Sequence, residues 1–181
     1  MKKIVTLQVK KITLVIMFLL LLSSLRVAFS NSQDPKSEPL RVDADSLQHD
    51  DKNLITTFEG NVVLTRNNLI IKGDVLKLQQ TEDGLAFGHI IGKPALFKQK
   101  REVYGDWIEG RAERLDYDER NSMFFLTGNA SLKRKMNGQI KDEVSGDKLS
   151  YSSLTEIYKA ETVPGETRTR MTLMPRRPKS E

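Results

Sequence analysis

The chain contains no cysteine among its 181 residues. That excludes disulfides, a thiol nucleophile and a lipid-modified cysteine at a leader cleavage site. Histidine occurs only twice, at His49 and His89, and no third ligand stands at a metal-binding spacing, so no metal site is expected. No G-x-S-x-G elbow and no nucleotide-binding loop is present, and no cofactor is expected. The single tryptophan, Trp107, reads as a packing residue. After residue 40 no segment keeps a 3.6-residue apolar period over three turns, which argues against amphipathic helices. The main apolar run, Ile12–Leu22, has 11 residues, well short of the roughly 20 needed to cross a bilayer.

That run follows Lys2, Lys3, Lys10 and Lys11 and precedes Ala28 and Ser30, small residues at the −3 and −1 positions of a cleavage site. Residues 1–30 therefore read as an export signal cut after Ser30, with the mature protein delivered to the periplasm. The competing reading is an uncleaved anchor. Of the 29 Lys and Arg, five lie in this segment, leaving 24 to face 24 acids. A formally neutral mature chain does not fit a nucleic-acid binder. Residues 31–39 read as a flexible polar leader and 176–181 as a basic tail. Arg168, Arg170, Arg176, Arg177 and Lys179 form a solvated tail or a contact for phosphates.

What the chain does contain is a repeat. Shifted by 68 residues, Ala44–Leu64 falls on Ala112–Leu132 without a gap: Leu47 meets Leu115, Asp50 meets Asp118, Asn53 meets Asn121, and Gly60-Asn61 meets Gly128-Asn129. After a short skip, GDVLKL (73–78) meets GDKLSY (146–151). Within each copy the apolar period is two, as in Phe58, Val62 and Leu64, or Phe124, Leu126, Ala130 and Leu132. Such alternation marks strands with one dry face. Frequent turn signals, among them Asn67-Asn68, Gly92-Lys93-Pro94 and Asn137-Gly138, indicate an antiparallel all-β domain over 40–175 built from two similar halves. A glycine in the middle of a strand pattern, as at Gly60 and Gly128, points to a bulge in a curved sheet, or to room left for something against the inner face. Small residues (Ala86, Ala95, Ala112, Ala130) leave open both a groove and a tightly filled small core. Asp45, Asp74, Asp106, Glu113 and Asp147 recur before apolar positions. They read as turn-capping acids or, less simply, as carboxylates for glycoside hydrolysis.

The ordered series GKPALFKQ (92–99), IEGRAERLDY (108–117), FFLTGNASL (124–132), SGDKLSY (145–151) and RTRMTLMP (168–175) resembles the OstA-like, or LptA, family of lipopolysaccharide export proteins. The resemblance spans about Leu40 to Pro175. It implies a twisted, open-ended β-jellyroll and a carrier that is not an enzyme. The inner face would shelter the acyl chains of lipid A in lipopolysaccharide, through Leu47, Phe58, Val62, Leu64, Leu76, Leu78, Phe87, Ile91, Ala95, Phe97, Leu115, Tyr117, Phe124, Leu126, Ala130, Leu132, Leu149 and Tyr151. It also implies head-to-tail joining with copies of itself, an LptC-like protein on the inner-membrane side and an LptD-like outer-membrane translocon. The joints would lie on edge strands at Leu40, Arg41, Val42 and Leu47, and at Arg168, Arg170, Thr172 and Met174. The stretch 132–146 departs from the family pattern, which puts that hairpin's register in question. Competing readings are a membrane-anchored LptC-like subunit, a periplasmic glycan-processing enzyme, and a structural adaptor with a filled core.

Overall fold

A computed structural model describes residues 38–175 apart from 83, 163, 164 and 166, and the side chains of 85 and 86 are also outside it. The signal, its cleavage after Ser30, most of the leader and the basic tail lie outside the described residues. The remainder is strand and turn: β1 Arg41–Asp43, β2 Ser46–Asp50, β3 Ile55–Arg66, β4 Leu69–Thr81, β5 Gly84–Arg101, β6 Asp106–Asp118, β7 Met123–Met136, β8 Gln139–Ser152, β9 Tyr158–Glu161 and β10 Arg170–Leu173. They form one antiparallel sheet in the order β1-β3-β4-β5-β6-β7-β8-β10, with β2 also on β3 and β9 also on β8. Each border of the sheet is thus made of two short strands in tandem.

The joins between the long strands follow from local chemistry. Asn137 and Gly138 both take positive φ, which matches a two-residue hairpin turn to the strand twist and settles the hairpin between β7 and β8. Asp50 accepts hydrogen bonds from the backbone and side-chain amides of Asn53, and Asp118 does the same for Asn121. The repeated Asp-Asn spacing therefore encodes the same four-residue turn twice. Gly92-Lys93-Pro94 is not a turn between strands: β5 runs straight through it, with a cis Lys93–Pro94 bond.

A seam of irregular pairing crosses all the long strands at one level. Register shifts fall between Glu59 and Val62, Lys72 and Val75, Ile91 and Ala95, Arg111 and Arg114, and Thr127 and Ala130. The Gly-Asn pairs supply the extra residues in β3 and β7. Gly60 and Asn61 have φ of 79° and 48°, and Gly128 and Asn129 of 81° and 46°. This left-handed geometry is unstrained for glycine and tolerated by asparagine. Bulges bend and twist a sheet. Here they divide it into two leaves: leaf I holds β2 and β9, and leaf II holds β1 and β10.

The leaves face each other. Phe97 of leaf II stacks on Phe124 of leaf I at 4.4 Å between ring centroids, although neither is the other's register partner. Buried Leu64, Ile71, Phe97, Ile108 and Leu132 of leaf II close over buried Leu76, Ile90, Leu115, Leu126 and Tyr151 of leaf I. The fold line thus runs across every long strand, β3 to β8, rather than between the two sequence repeats.

Candidate functional site: the apolar interior and its open borders

Residues directly opposed in an antiparallel ladder share a face. Tracing partners across the sheet gives continuous apolar rows. In leaf I one row runs Leu47, Phe58, Leu76, Ile90, Leu115, Leu126, Leu149, Ala160. In leaf II another runs Val42, Leu64, Ile71, Phe97, Gly110, Leu132, Val144, Met171. Gly110 is needed in that row because a Cβ there would overlap the ring of Phe97. The middle of each row is fully buried, whereas the ends are not: Leu47 is 65% exposed and Met171 47%.

Most residues expected on the inner face are there. Val62, Leu64, Leu76, Leu78, Ala95, Phe97, Leu115, Phe124, Leu126, Ala130, Leu132, Leu149 and Tyr151 are buried in one core. Phe58 is half-buried against it, and so is Tyr117, which stacks on Phe124 at 4.6 Å. Three placements require correction. Phe87 and Ile91 are 39% and 55% exposed, because Gly88 and Ile90 take the inward positions of β5 below the seam. Extending the alternation backwards from Ala95 and Phe97 through the irregular Gly92-Lys93-Pro94 reverses the face. Leu47 belongs to an inward row but sits on the border, where nothing covers it. Ile71, Ile90, Ile108 and Val144 are core residues that the sequence reading missed. Trp107 lies on the outer face, with Lys98 Nζ 4.4 Å above its ring.

The borders also differ in detail from expectation. Leu40 and Val42 pack on the core while Arg41 faces solvent. The last strand includes Arg170 and Thr172 but starts after Arg168. Met174 follows it and donates its backbone N–H to Lys141 at 2.9 Å. An unexpected short strand, β9, with Tyr158 and Ala160 half-buried, completes the second border.

The repeated acids do not converge on one site. The Asp45 carboxylate accepts from Asn61 Nδ2 at 2.9 Å, and the Glu113 carboxylate from Asn129 Nδ2 at 2.7 Å, so each supports one Gly-Asn bulge from the outer side. The space beside Gly60 and Gly128 is taken by these carboxylates. Asp147 accepts from Thr167, and Asp106 is buried against Arg101. His49 bonds Thr56 and His89 bonds Asp116, each in its own neighbourhood.

Charge is concentrated where the leaves' free margins meet. Arg66 of leaf II pairs with Glu119 at the leaf I margin, both largely buried. Arg101 grips Asp106 through Nε and Nη2 and reaches Glu156 through Nη1 at 3.0 Å. The Asp106 hydrogen bond holds the Arg101 guanidinium above its usual range despite burial. Beside them the Tyr151 hydroxyl is buried without a hydrogen-bond partner, and burial pushes its pKa up to about 12. Between these groups and β10 the leaves do not fill the space. They leave a cleft of about 430 Å³ walled by Ile108, Leu132, Val144, Met171 and Leu173.

Comparison with known proteins places this architecture. Residues 41–157 match the family described as LptA/(LptD N-terminal domain) LPS transport protein. The lipopolysaccharide export system protein LptA of Escherichia coli K12 is 31% identical over 118 residues, 63% of this chain. The match spans 60% of that relative's length. LptA of Haemophilus influenzae is 26% identical over 163 residues, covering 87% of this chain and 91% of its own. The crystal structure of LptH from Pseudomonas aeruginosa, described as the LptA-homologous periplasmic component of the lipopolysaccharide transport device, superposes with a TM-score of 0.68 at 26% identity. That match covers 76% of this chain and 96% of LptH. The open antiparallel sheet is accordingly of the jellyroll-like kind seen in LptH.

Proposed function

Because the chain belongs to the family of LptA and LptD N-terminal-domain lipopolysaccharide transport proteins, we propose that it is a periplasmic carrier rather than an enzyme. It shelters the acyl chains of lipid A and forms one segment of a head-to-tail bridge between an LptC-like inner-membrane protein and an LptD-like outer-membrane translocon. One observation supports this most directly: the apolar rows reach both borders and end beside unpaired strand edges, in exposed Leu47 at one border and exposed Met171 at the other, with Val42 and Ala160 half-buried beside them.

The energetics make that continuity useful. A methylene moved out of water stabilises by roughly 0.8 kcal/mol, so a long acyl chain left bare in an aqueous compartment costs on the order of 10 kcal/mol. A row that ended in polar residues at each border would interrupt shelter at every junction between copies. A row that ends in Leu47 or Met171 continues into whatever strand pairs next. Exposed strand edges are hazards unless covered, and β-augmentation is the natural cover. Transport along such a track needs no bond chemistry here, only sites of similar affinity in series and energy supplied elsewhere.

The test is site-specific photo-crosslinking in cells. A crosslinker at Leu47 or Val42 is expected to capture lipopolysaccharide and the β9–β10 border of a second copy, while one at Phe125 on the outer face captures neither. Equal capture from Phe125, or none from Leu47 and Val42, would remove the proposal.

A further inference from the structure

The outer faces of the two leaves differ in charge. The inward rows fix which neighbouring rows point outward. In leaf I those outward rows mix signs: Lys77, Arg114, Lys148 and Lys159 stand among Glu59, Asp116 and Glu161. In leaf II one outward row alternates Lys98, Glu109, Lys133 and Glu143 on successive strands. It neutralises itself, with Lys98 on Glu109 at 3.3 Å and Lys133 on Glu143 at 3.2 Å. The other row, nearer the seam, runs Lys72, Leu96, Arg111, Ser131, Ser145, Arg170 and holds no acid from β4 to β10. None of its three cations has an acidic partner among the described residues. Asp43, at the β1 end of the row, is taken by Arg41, and Glu113, on the seam, by Asn129.

We propose that this row binds the phosphate group of a phosphorylated sugar on the outside of leaf II. A groove of about 630 Å³ opens over it, within the roughly 300–1,000 Å³ typical of small-ligand sites. Lys72, Leu96, Arg111 and Ser131 line that groove. Neighbouring strands lie about 4.8 Å apart, so Lys72 and Arg111, two strands apart, stand roughly 10 Å apart at the backbone. Leu96 lies between them and is 39% exposed. Both cations can therefore reach one anion held above it. The planar guanidinium of Arg111 suits two phosphate oxygens, Lys72 adds a point charge, and the Ser131 hydroxyl donates a further hydrogen bond.

Two features select a sugar rather than an anionic bilayer as the carrier of the phosphate. The cations line a concavity, which a flat surface cannot enter. The same lining presents Glu109 and Glu143, carboxylates that accept from sugar hydroxyls and would repel a sheet of phosphate heads. Leu96 offers the apolar face of a sugar ring a floor. The site stands on the rows of leaf II, and only the identity of the sugar, the phosphorylated head of lipopolysaccharide, rests on the transport reading above.

The test titrates the full chain, labelled with 15N, with lipopolysaccharide stripped of all its acyl chains. The amide signals of Arg111, Ser131 and Ser145 are expected to shift, while Lys77 and Ser150 on the outside of leaf I stay unmoved. The same glycan after phosphatase treatment is expected to bind at least about tenfold more weakly. Arg111→Gln and Lys72→Gln are each expected to weaken binding about fivefold without lowering the folding midpoint. Lys77→Gln removes the same charge from leaf I and is expected to leave the affinity unchanged. Equal binding of the dephosphorylated glycan, an equal loss in Lys77→Gln, or the same shifts from phosphatidylglycerol vesicles would each overturn the assignment. Silent amides in leaf II alongside lipopolysaccharide capture at Leu47 would remove this groove alone. Shifts in leaf II without capture at Leu47 would uphold the groove and remove the sheltered acyl chain.

Discussion

Gly128→Ala is the sharpest probe of the seam. Two costs can be worked out separately. Gly128 has φ of 81°, where an L-residue is disfavoured by about 1–2 kcal/mol. An added Cβ would also stand 2.6 Å from Glu113 Oε2, so the carboxylate must swing away and release Asn129 Nδ2, now held at 2.7 Å. Losing that solvent-exposed hydrogen bond costs about 1 kcal/mol. The total is roughly 2–3 kcal/mol, measured by urea unfolding followed by circular dichroism. Glu113→Ala alone should cost only the hydrogen bond, about 1 kcal/mol. On the Glu113→Ala background the carboxylate is gone and only the Cβ of residue 113, 3.0 Å away, still presses on the new methyl, so Gly128→Ala should cost little beyond the backbone share. The double variant is therefore expected to be less damaging than the sum of the singles by roughly 1 kcal/mol. Strict additivity would show that the carboxylate does not support the bulge. A cost below about 0.5 kcal/mol for Gly128→Ala would show that the left-handed geometry is not required.

Other outcomes follow from the same packing. Gly110→Ala drives a methyl group into the Phe97 ring and is expected to destabilise by about 1–3 kcal/mol in the same urea assay, with Phe97→Leu as a second change relieving part of the loss. Arg66→Met removes the cation that faces the buried Glu119 and is expected to cost about 3 kcal/mol, whereas Arg66→Met with Glu119→Leu costs much less, because both members of the buried ion pair are then replaced by apolar groups. Tyr151 has its folded-state pKa raised to about 12 against an ordinary value near 10, so its contribution to stability is intact below pH 10 and is lost as pH rises from about 10 to 12. Comparing unfolding midpoints across that window should show a steeper alkaline decline in the parent than in Tyr151→Phe, and parallel declines would contradict the burial of this phenol.

Much of the fold was written locally and was therefore legible. The turn at Asp50–Asn53 and its copy at Asp118–Asn121 use side chains three residues apart, and the Gly-Asn bulges announce themselves by an uncommon pair in a strand context. The partners of those bulges, Asp45 and Glu113, were visible as repeated acids, but their role was not, since each acts on an asparagine 16 residues away. Facing failed where alternation was carried across the seam. In β4, β5, β6 and β8 the inward set changes parity there: Ile71 gives way to Leu76, Ile90 to Ala95, Ala112 to Leu115, and Val144 to Leu149. The extra Gly-Asn residues in β3 and β7 keep the parity of Phe58 with Val62 and of Leu126 with Ala130. A signal for the change did exist, in the strand-interior glycines 73, 92 and 146 and in Pro94, which mark where a ladder is interrupted. The pairing of leaf with leaf had no comparable local signature, because Phe97 meets Phe124 only once the whole sheet has bent.

The doubled sheet also explains how a largely filled interior and the proposed carrier role are compatible. The centre of the molecule is rigid: rings stacked between the leaves, bulges fixing the fold line, and two ion-pair clasps, Arg66–Glu119 and Arg101–Glu156, joining the free margins. Open space lies instead toward the C-terminal border, where the leaves part beside β10 and where the row ending in Met171 reaches solvent; on the proposed function this is where an acyl chain has room. A copy paired along that border would supply the missing wall of the cleft. The site is then completed by assembly rather than by opening the clasped core. On this arrangement Arg66→Met loosens the fold without improving lipid capture, and blocking the β10 edge with Thr172→Pro abolishes both pairing and capture at Met171 while leaving the clasped core intact.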